Sequence, residues 1–194
     1  MRLDKDVNYI VSGLERSGTS MIMQILHAGK IPIGFDQLRE SDTINPKGYY
    51  ELDGGKIINR LIDGDFPLEL YKGKFIKITS YGIKFLPPGK YKIIYSTREI
   101  DEIMDSMEKM IGEKDDKRED TKKIFIKLND TIKELIQKRQ DIEPLFVNYN
   151  KILEKPDEEI KKMIRFLNLN SNIKSSMIQV IDPKLYRQRK KMKK

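Results

Sequence analysis

Apolar residues follow two rhythms along this chain. Short runs rich in Ile, Val, Tyr and Phe, the mark of buried strands, fall at 8–11, 74–79, 91–96 and 145–147. Between them the apolar spacing widens to three and four residues. That period predicts helices at 21–26, 56–61 and 99–110, then a long one whose stripe is Ile124, Phe125, Leu128, Ile132, Leu135 and Ile136. Pro156, followed by Asp157, Glu158 and Glu159, opens a further helix with Ile160, Met163, Ile164 and Leu167 on one face. Ile31-Pro32-Ile33 predicts a short edge strand, the place in a sheet where proline is tolerated. Residues 34–50 read as loop, Pro87-Pro88-Gly89 as a turn, and 114–120 as an exposed charged connection. Strands alternating with helices predict an α/β fold with a parallel sheet covered on both sides. Ligands of such sheets bind outside the carboxyl ends of the strands.

The segment Ser12-Gly13-Leu14-Glu15-Arg16-Ser17-Gly18-Thr19-Ser20 lies at such an end. It joins the first strand to the first helix, so loop N–H groups and the helix dipole converge there on one point of positive potential. The spacing Gly13-x4-Gly18-x-Ser20 fits the phosphate-binding P-loop except that Thr19 stands where that motif requires Lys. The missing lysine removes a contact to β- and γ-phosphates, while Arg16 brings a fork-shaped cation into the loop. This predicts a three-layer, P-loop-like architecture with a central parallel sheet of about four to five strands flanked by helices. It points to a phosphate-like anion rather than to ATP hydrolysis. The plainer alternative is a strand-to-helix turn with Arg16 in solvent.

Composition narrows the class. A chain of 194 residues is long enough for one substantial core. It is expected to form one domain over 1–183 with a basic tail over 184–194. The net charge is +8, and seven basic residues with no acid lie in that tail, which leaves about +1 for the rest. A nucleic-acid binder spreads its basic charge over a face of the fold, so none is expected as a partner. No apolar run approaches the roughly 20 residues of a membrane span. The start of the chain runs directly into the first strand, which leaves no room for a signal peptide. With no cysteine there is neither a disulfide nor a thiolate metal site. A cytoplasmic protein without a metal is the expectation.

A second anion signal follows the third strand. Arg98 lies at its C-terminal edge, facing the ligand crevice, and Ser106 comes eight residues later in the next helix. Together they offer a bidentate cation and a hydroxyl donor, suited to a second phosphate. Taken singly, Arg98 could pair with Glu99 or Glu102, and Ser106 could be a helix-surface residue.

The combination resembles the sulfotransferases that use 3′-phosphoadenosine 5′-phosphosulfate (PAPS). Gly-Leu-Glu-Arg-Ser-Gly-Thr-Ser is similar to their 5′-phosphosulfate loop, in the variant with Arg where cytosolic members have Lys. Arg98 and Ser106 match the 3′-phosphate pair. Residues 45–51, 146–153, 165–167 and 182–187 resemble segments of small bacterial members, so the likeness spans nearly the whole chain. It implies PAPS as co-substrate, bound by Arg16, Ser17, Gly18, Thr19, Ser20, Arg98 and Ser106, with Arg187 of the tail in place of an absent Arg-Lys-Gly loop. It implies sulfuryl transfer by in-line displacement to a hydroxyl or amine of a small-molecule, carbohydrate or peptide acceptor, with no metal. Arg16 or Lys77 would meet the developing charge, and Asp36 or Glu51 would serve as general base. Lys77 could instead face solvent, and either carboxylate could cap a turn or balance Lys47 and Arg39. Glu15 departs from the family by replacing a proline with an acid beside the anion loop. Rival readings are a P-loop kinase or NTPase, and a nucleotide-binding relative without turnover. Against the first stand Thr19 and the absence of a Mg²⁺-holding acid after the third strand.

Overall fold

A computed structural model describes residues 3–42 and 45–182. Four strands form one parallel sheet: β1 (Asn8–Gly13), β2 (Phe75–Lys77), β3 (Tyr91–Thr97) and β4 (Ile142–Asn148). Their order is β2-β1-β3-β4. The register pairs Ile10 with Ile76 on one side of β1 and with Ile93 on the other. Helices α1 (Thr19–Ala28), α2 (Ile57–Asp63), α3 (Ile100–Ile111), α4 (Arg118–Lys138), α5 (Tyr149–Glu154), α6 (Pro156–Phe166) and α7 (Lys174–Gln179) complete the α/β, three-layer architecture.

Strand alternation sorts the core into two layers. Tyr9, Val11, Phe75, Ile94 and Val147 pack with α1, α5, α6 and α7 on one face. Ile10, Ile76, Ile93 and Tyr95 point the other way and pack with α2, α4 and the 3₁₀ turn Ser80–Phe85. Every β1 residue is buried because strands flank it on both edges and helices cover both faces. From β1 the chain first goes outward to β2, then returns to β3 on the opposite side. The crevice between the carboxyl ends of β1 and β3 is therefore the switch point at which such sheets bind ligands.

Three expectations change. The predicted strand 31–33 reduces to a single parallel bridge, Ile33 to Phe75, because Pro32 supplies only its carbonyl, to Phe75 N–H at 2.9 Å. The connection 114–120 ends early, since α4 begins at Arg118. That guanidinium ties α4 to α3 through Asp105 at 2.6 Å and Glu108 at 2.7 Å. The α4 stripe is buried only at Ile132 and Ile136, while Ile124 is 67% exposed. Length explains this: 21 residues of helix span about 30 Å, more than the roughly 23 Å of a seven-residue strand. No described helix is long and apolar enough to cross a membrane.

Candidate functional site: a cationic cavity at the switch point

The loop after β1 is shaped by its two glycines. Gly13 has φ 153° and Gly18 φ 104°. A Cβ at Gly13 would lie 2.5 Å from Ser17 Oγ and 2.7 Å from the Ser96 carbonyl, and one at Gly18 would enter the Tyr149 ring. Arg16 holds the left-handed conformation, φ 65°, which turns the chain back over β1. Ser96 Oγ donates to the Ser17 carbonyl at 2.7 Å, fastening the loop to the end of β3. At the start of α1 the N–H groups of Thr19, Ser20 and Met21 have no carbonyl one turn back, and the first helical bond runs from Ile22 N–H to Gly18 at 3.2 Å. Those amides and the helix dipole form the anion cradle.

A cavity of about 330 Å³ opens over this cradle. Arg16, Gly18, Thr19, Ser20, Glu51, Lys77, Arg98 and Ser106 all line it. The two arginines are interlocked: Arg98 donates to the Arg16 carbonyl at 3.0 Å, and Arg16 Nε donates to Ser106 Oγ at 3.0 Å. Arg98 also pairs with the buried Glu102 at 3.0 Å and stacks its guanidinium 4.4 Å from the centre of the Tyr149 ring. Burial lowers the Arg16 pKa, and the nearby charges of Arg98 and Arg39 lower it further. Such a crowded cation gains from an arriving anion.

On the β2 side, Lys77 is 8% exposed and its ammonium is fully engaged. It meets Glu51 Oε1 at 2.7 Å, the Tyr49 carbonyl at 2.5 Å and Ser20 Oγ at 3.2 Å. Desolvation lowers its pKa, with Glu51 opposing the shift. The other Glu51 oxygen accepts from Arg39 at 2.9 Å, and the Arg39 guanidinium lies 3.6 Å above the Tyr49 ring. Lys77 is therefore not a solvent-facing strand residue.

Two expected site residues stand elsewhere. Ser17 does not line the cavity: it is 1% exposed, its N–H donates to the Leu14 carbonyl at 3.1 Å, and its hydroxyl has no hydrogen-bond partner. It shapes the cradle from behind. Asp36 is also off the cavity wall. Its carboxylate accepts from Leu38 N–H at 2.9 Å and Asp53 N–H at 2.6 Å, so it staples the loop. Glu15 is exposed at the cavity's edge. Arg187 and the basic tail lie outside the described residues.

Three further cations stand on the cavity wall. Arg39, Lys56 and Lys109 line it, and Lys109 follows Ser106 by three residues on α3. That i, i+3 spacing was a usable signal for Lys109. Arg39 comes from irregular chain, where no periodicity marks a face, and Lys56 is the N-cap residue just before α2.

No protein-family model matches the chain, and no curated protein matches it by sequence. Solved structures do match. The sulfotransferase domain of the Synechococcus PCC 7002 olefin synthase superposes with a TM-score of 0.61 at 13% identity, over 95% of this chain and 80% of that one. Mouse sulfotransferase SULT7A1, complexed with PAP, gives 0.54 at 16% identity over 91% of this chain and 63% of that one. Retinol dehydratase, in complex with androsterone and the inactive cofactor PAP, gives 0.54 at 19% identity over 92% and 64%. The chain thus spans less than two thirds of the length of the last two. At these identities the likeness is one of backbone architecture: this chain has the sulfotransferase fold.

Proposed function

We propose that this protein is a sulfotransferase that moves a sulfuryl group from PAPS to a hydroxyl or amine of a small-molecule acceptor. The observation that carries the reading is one cavity lined by both the Arg16 cradle and the Arg98–Ser106 pair. Two cationic anchors in one cavity suit a ligand with anionic groups at two places. A glycine-bounded cradle with unpaired first-turn amides suits the 5′ end of such a nucleotide. The PAP complexes of SULT7A1 and retinol dehydratase add support through the shared fold. The protein is taken as one domain over 1–183 with a basic tail, in which Arg187 would add to the nucleotide contacts. We place it in the cytoplasm.

In this reading Arg16 and the amides of Gly18, Thr19 and Ser20 hold the 5′-phosphosulfate. Arg98 and Ser106, with Lys109 beside them, hold the 3′-phosphate. PAPS, when bound, supplies the sulfuryl group and a phosphate leaving group. Glu51 lies on the cavity wall against the Lys77 ammonium, and it takes the acceptor's proton as the new S–O bond forms and the bridging S–O bond breaks. Lys77 and Arg16 counter the charge left on the departing phosphate oxygen. Asp36, with both oxygens turned to backbone amides, has no part in this chemistry.

Calorimetric titration with adenosine 3′,5′-bisphosphate against ATP–Mg²⁺ tests the proposal. Binding of the bisphosphate is expected, with a loss of about 100-fold or more in Arg98→Ala, which removes a bidentate cation and frees the Arg16 carbonyl. A preference for ATP–Mg²⁺ overturns the reading. Transfer of labelled sulfate to an acceptor panel then separates an enzyme from a nucleotide-binding relative without turnover.

A further inference from the structure

Cations outnumber acids on the cavity wall, and the surplus is not confined to the nucleotide end. Arg16, Arg39, Lys56, Lys77, Arg98 and Lys109 line the cavity, against Glu15, Glu51 and Asp182. The reading above gives Arg16, Arg98 and Lys109 to the donor. Arg39, Lys56 and Lys77 are left beside a single carboxylate, Glu51, since Glu15 belongs to the loop after β1 and Asp182 to the chain after α7. Lys77 and Arg39 share that carboxylate, one on each oxygen, at 2.7 and 2.9 Å. Lys56 has no ion-pair partner among the described residues. The acid nearest to it in sequence, Asp53, is taken by Arg60 at 3.2 Å. The acceptor end of the cavity therefore carries positive charge that its one acid does not offset.

Backbone groups these charges together. Gly55 has φ 89°, and a Cβ on it would lie 2.7 Å from Glu51 Oε2 and 4.0 Å from Arg39 Nη1. The residue just before Lys56 is thus pressed against the Arg39–Glu51 pair, which brings the lysine to the same side of the cavity. Exposure rises outward along the series, from 7% for the Lys77 side chain through 14% for Glu51 to 41% for Arg39. A hydroxyl on Glu51 and an oxyanion near Arg39 and Lys56 would stand roughly 6 Å apart, two hydrogen-bond lengths. Apolar wall is scarce here. Ile78 lines the cavity but is itself 1% exposed, and one face of the Tyr49 ring is covered by the Arg39 guanidinium at 3.6 Å. A wholly apolar acceptor would strip water from these cations and give nothing in return. An oxyanion on the acceptor would pair with them.

We infer that the acceptor is itself an anion, a hydroxy compound whose oxyanion group is held by Lys56 and Arg39 while its hydroxyl meets Glu51. The inference rests on the proposed sulfuryl transfer and narrows its acceptor class. Lys56 selects the acceptor and takes no part in the bond changes. The acceptor oxygen forms the new S–O bond, its proton goes to Glu51, and the donor phosphate leaves with the electrons of the broken bridge.

Calorimetry on the complex with adenosine 3′,5′-bisphosphate tests this with three probes of similar shape: 3-hydroxybenzoate, 3-hydroxybenzenesulfonate and the neutral 3-hydroxybenzamide. Wild type is expected to bind at least one anion about tenfold or more tightly than the amide, and the better anion tells a planar group from a tetrahedral one. Lys56→Glu is expected to erase that preference. Its affinity for the bisphosphate alone should change by less than about twofold, which shows that the variant is folded and its donor site intact. In transfer of labelled sulfate the same variant should raise the KM of the favoured anion about tenfold and leave kcat within about twofold. A preference for the amide overturns the inference, and so does an anion preference that survives in Lys56→Glu. A loss of bisphosphate affinity in that variant would move Lys56 to the donor and overturn it as well. If wild type binds the bisphosphate but none of the three probes, the acceptor assignment alone fails. If it does not bind the bisphosphate, the use of PAPS fails and the assignment falls with it.

Discussion

Residues 13–20 and residues 34–56 border the same cavity but are held in place differently. The first segment is fixed by backbone: two glycines with no room for a Cβ, a left-handed Arg16, and a carbonyl gripped by Ser96. The second is fixed by side chains: Asp36 on two amides, Asp42 on the Tyr49 hydroxyl at 2.7 Å, and Glu51 between Lys77 and Arg39. A backbone cradle fits anions of one shape and tolerates little change. A side-chain scaffold can be altered residue by residue without losing the fold. The contrast suits a site in which one ligand is constant and the other varies between proteins.

The sharpest way to break this contrast is Gly18→Ala. The new methyl enters the Tyr149 ring at a backbone angle that alanine rarely adopts. A stability loss of about 2–4 kcal/mol is expected by denaturant unfolding, with bisphosphate binding abolished in calorimetry. Retained binding would show that the cradle adjusts, and the two segments would no longer differ in kind.

Glu51→Gln comes next, with a smaller effect on the fold and a large one on turnover. The rate of sulfate transfer should drop by about 10²-fold or more, while bisphosphate affinity moves by less than about threefold. The partner of Glu51 gives a pH signature. Burial holds the Lys77 pKa below its ordinary 10.5, so the folded state releases this proton before the unfolded chain does. The unfolded state then binds more protons, and stability rises with pH over the interval just below 10.5. Turnover should fall across the same interval as the ammonium is lost. Lys77→Met should flatten the stability slope, measured by unfolding at a series of pH values.

Asp36→Ala should have the smallest effect. Losing two backbone acceptances in a partly exposed loop costs about 1 kcal/mol, and the transfer rate should stay within about twofold of wild type. A drop in rate matching that of Glu51→Gln would move the base to Asp36.

Much of the fold could be read from the chain because parallel strands here are short apolar runs with glycine or proline at their ends. The β1 and β3 signals are of this kind. Elements with six residues or fewer, such as α5 and α7, are too short to display a helical period and went unread. The α4 stripe was legible as a period but not as a burial pattern, since how far the sheet extends beneath a helix is a tertiary property. At the site, Arg16 and Arg98 were legible from their positions after strands. Their mutual grip was not, because it joins residues 82 positions apart through a carbonyl. Ser17 looked like a ligand-facing residue because a motif names positions without saying which N–H is already used inside the loop. Asp36 and Glu51 could not be separated before the ion pairs with Lys77 and Arg39 were known.

The hold of Arg98 on the Arg16 main chain has a consequence for altering this protein. A substitution meant to relax one arginine would also let the other drift, so neither offers an independent dial. Engineering a different ligand preference would have to begin at side chains that touch the cavity without bracing its floor.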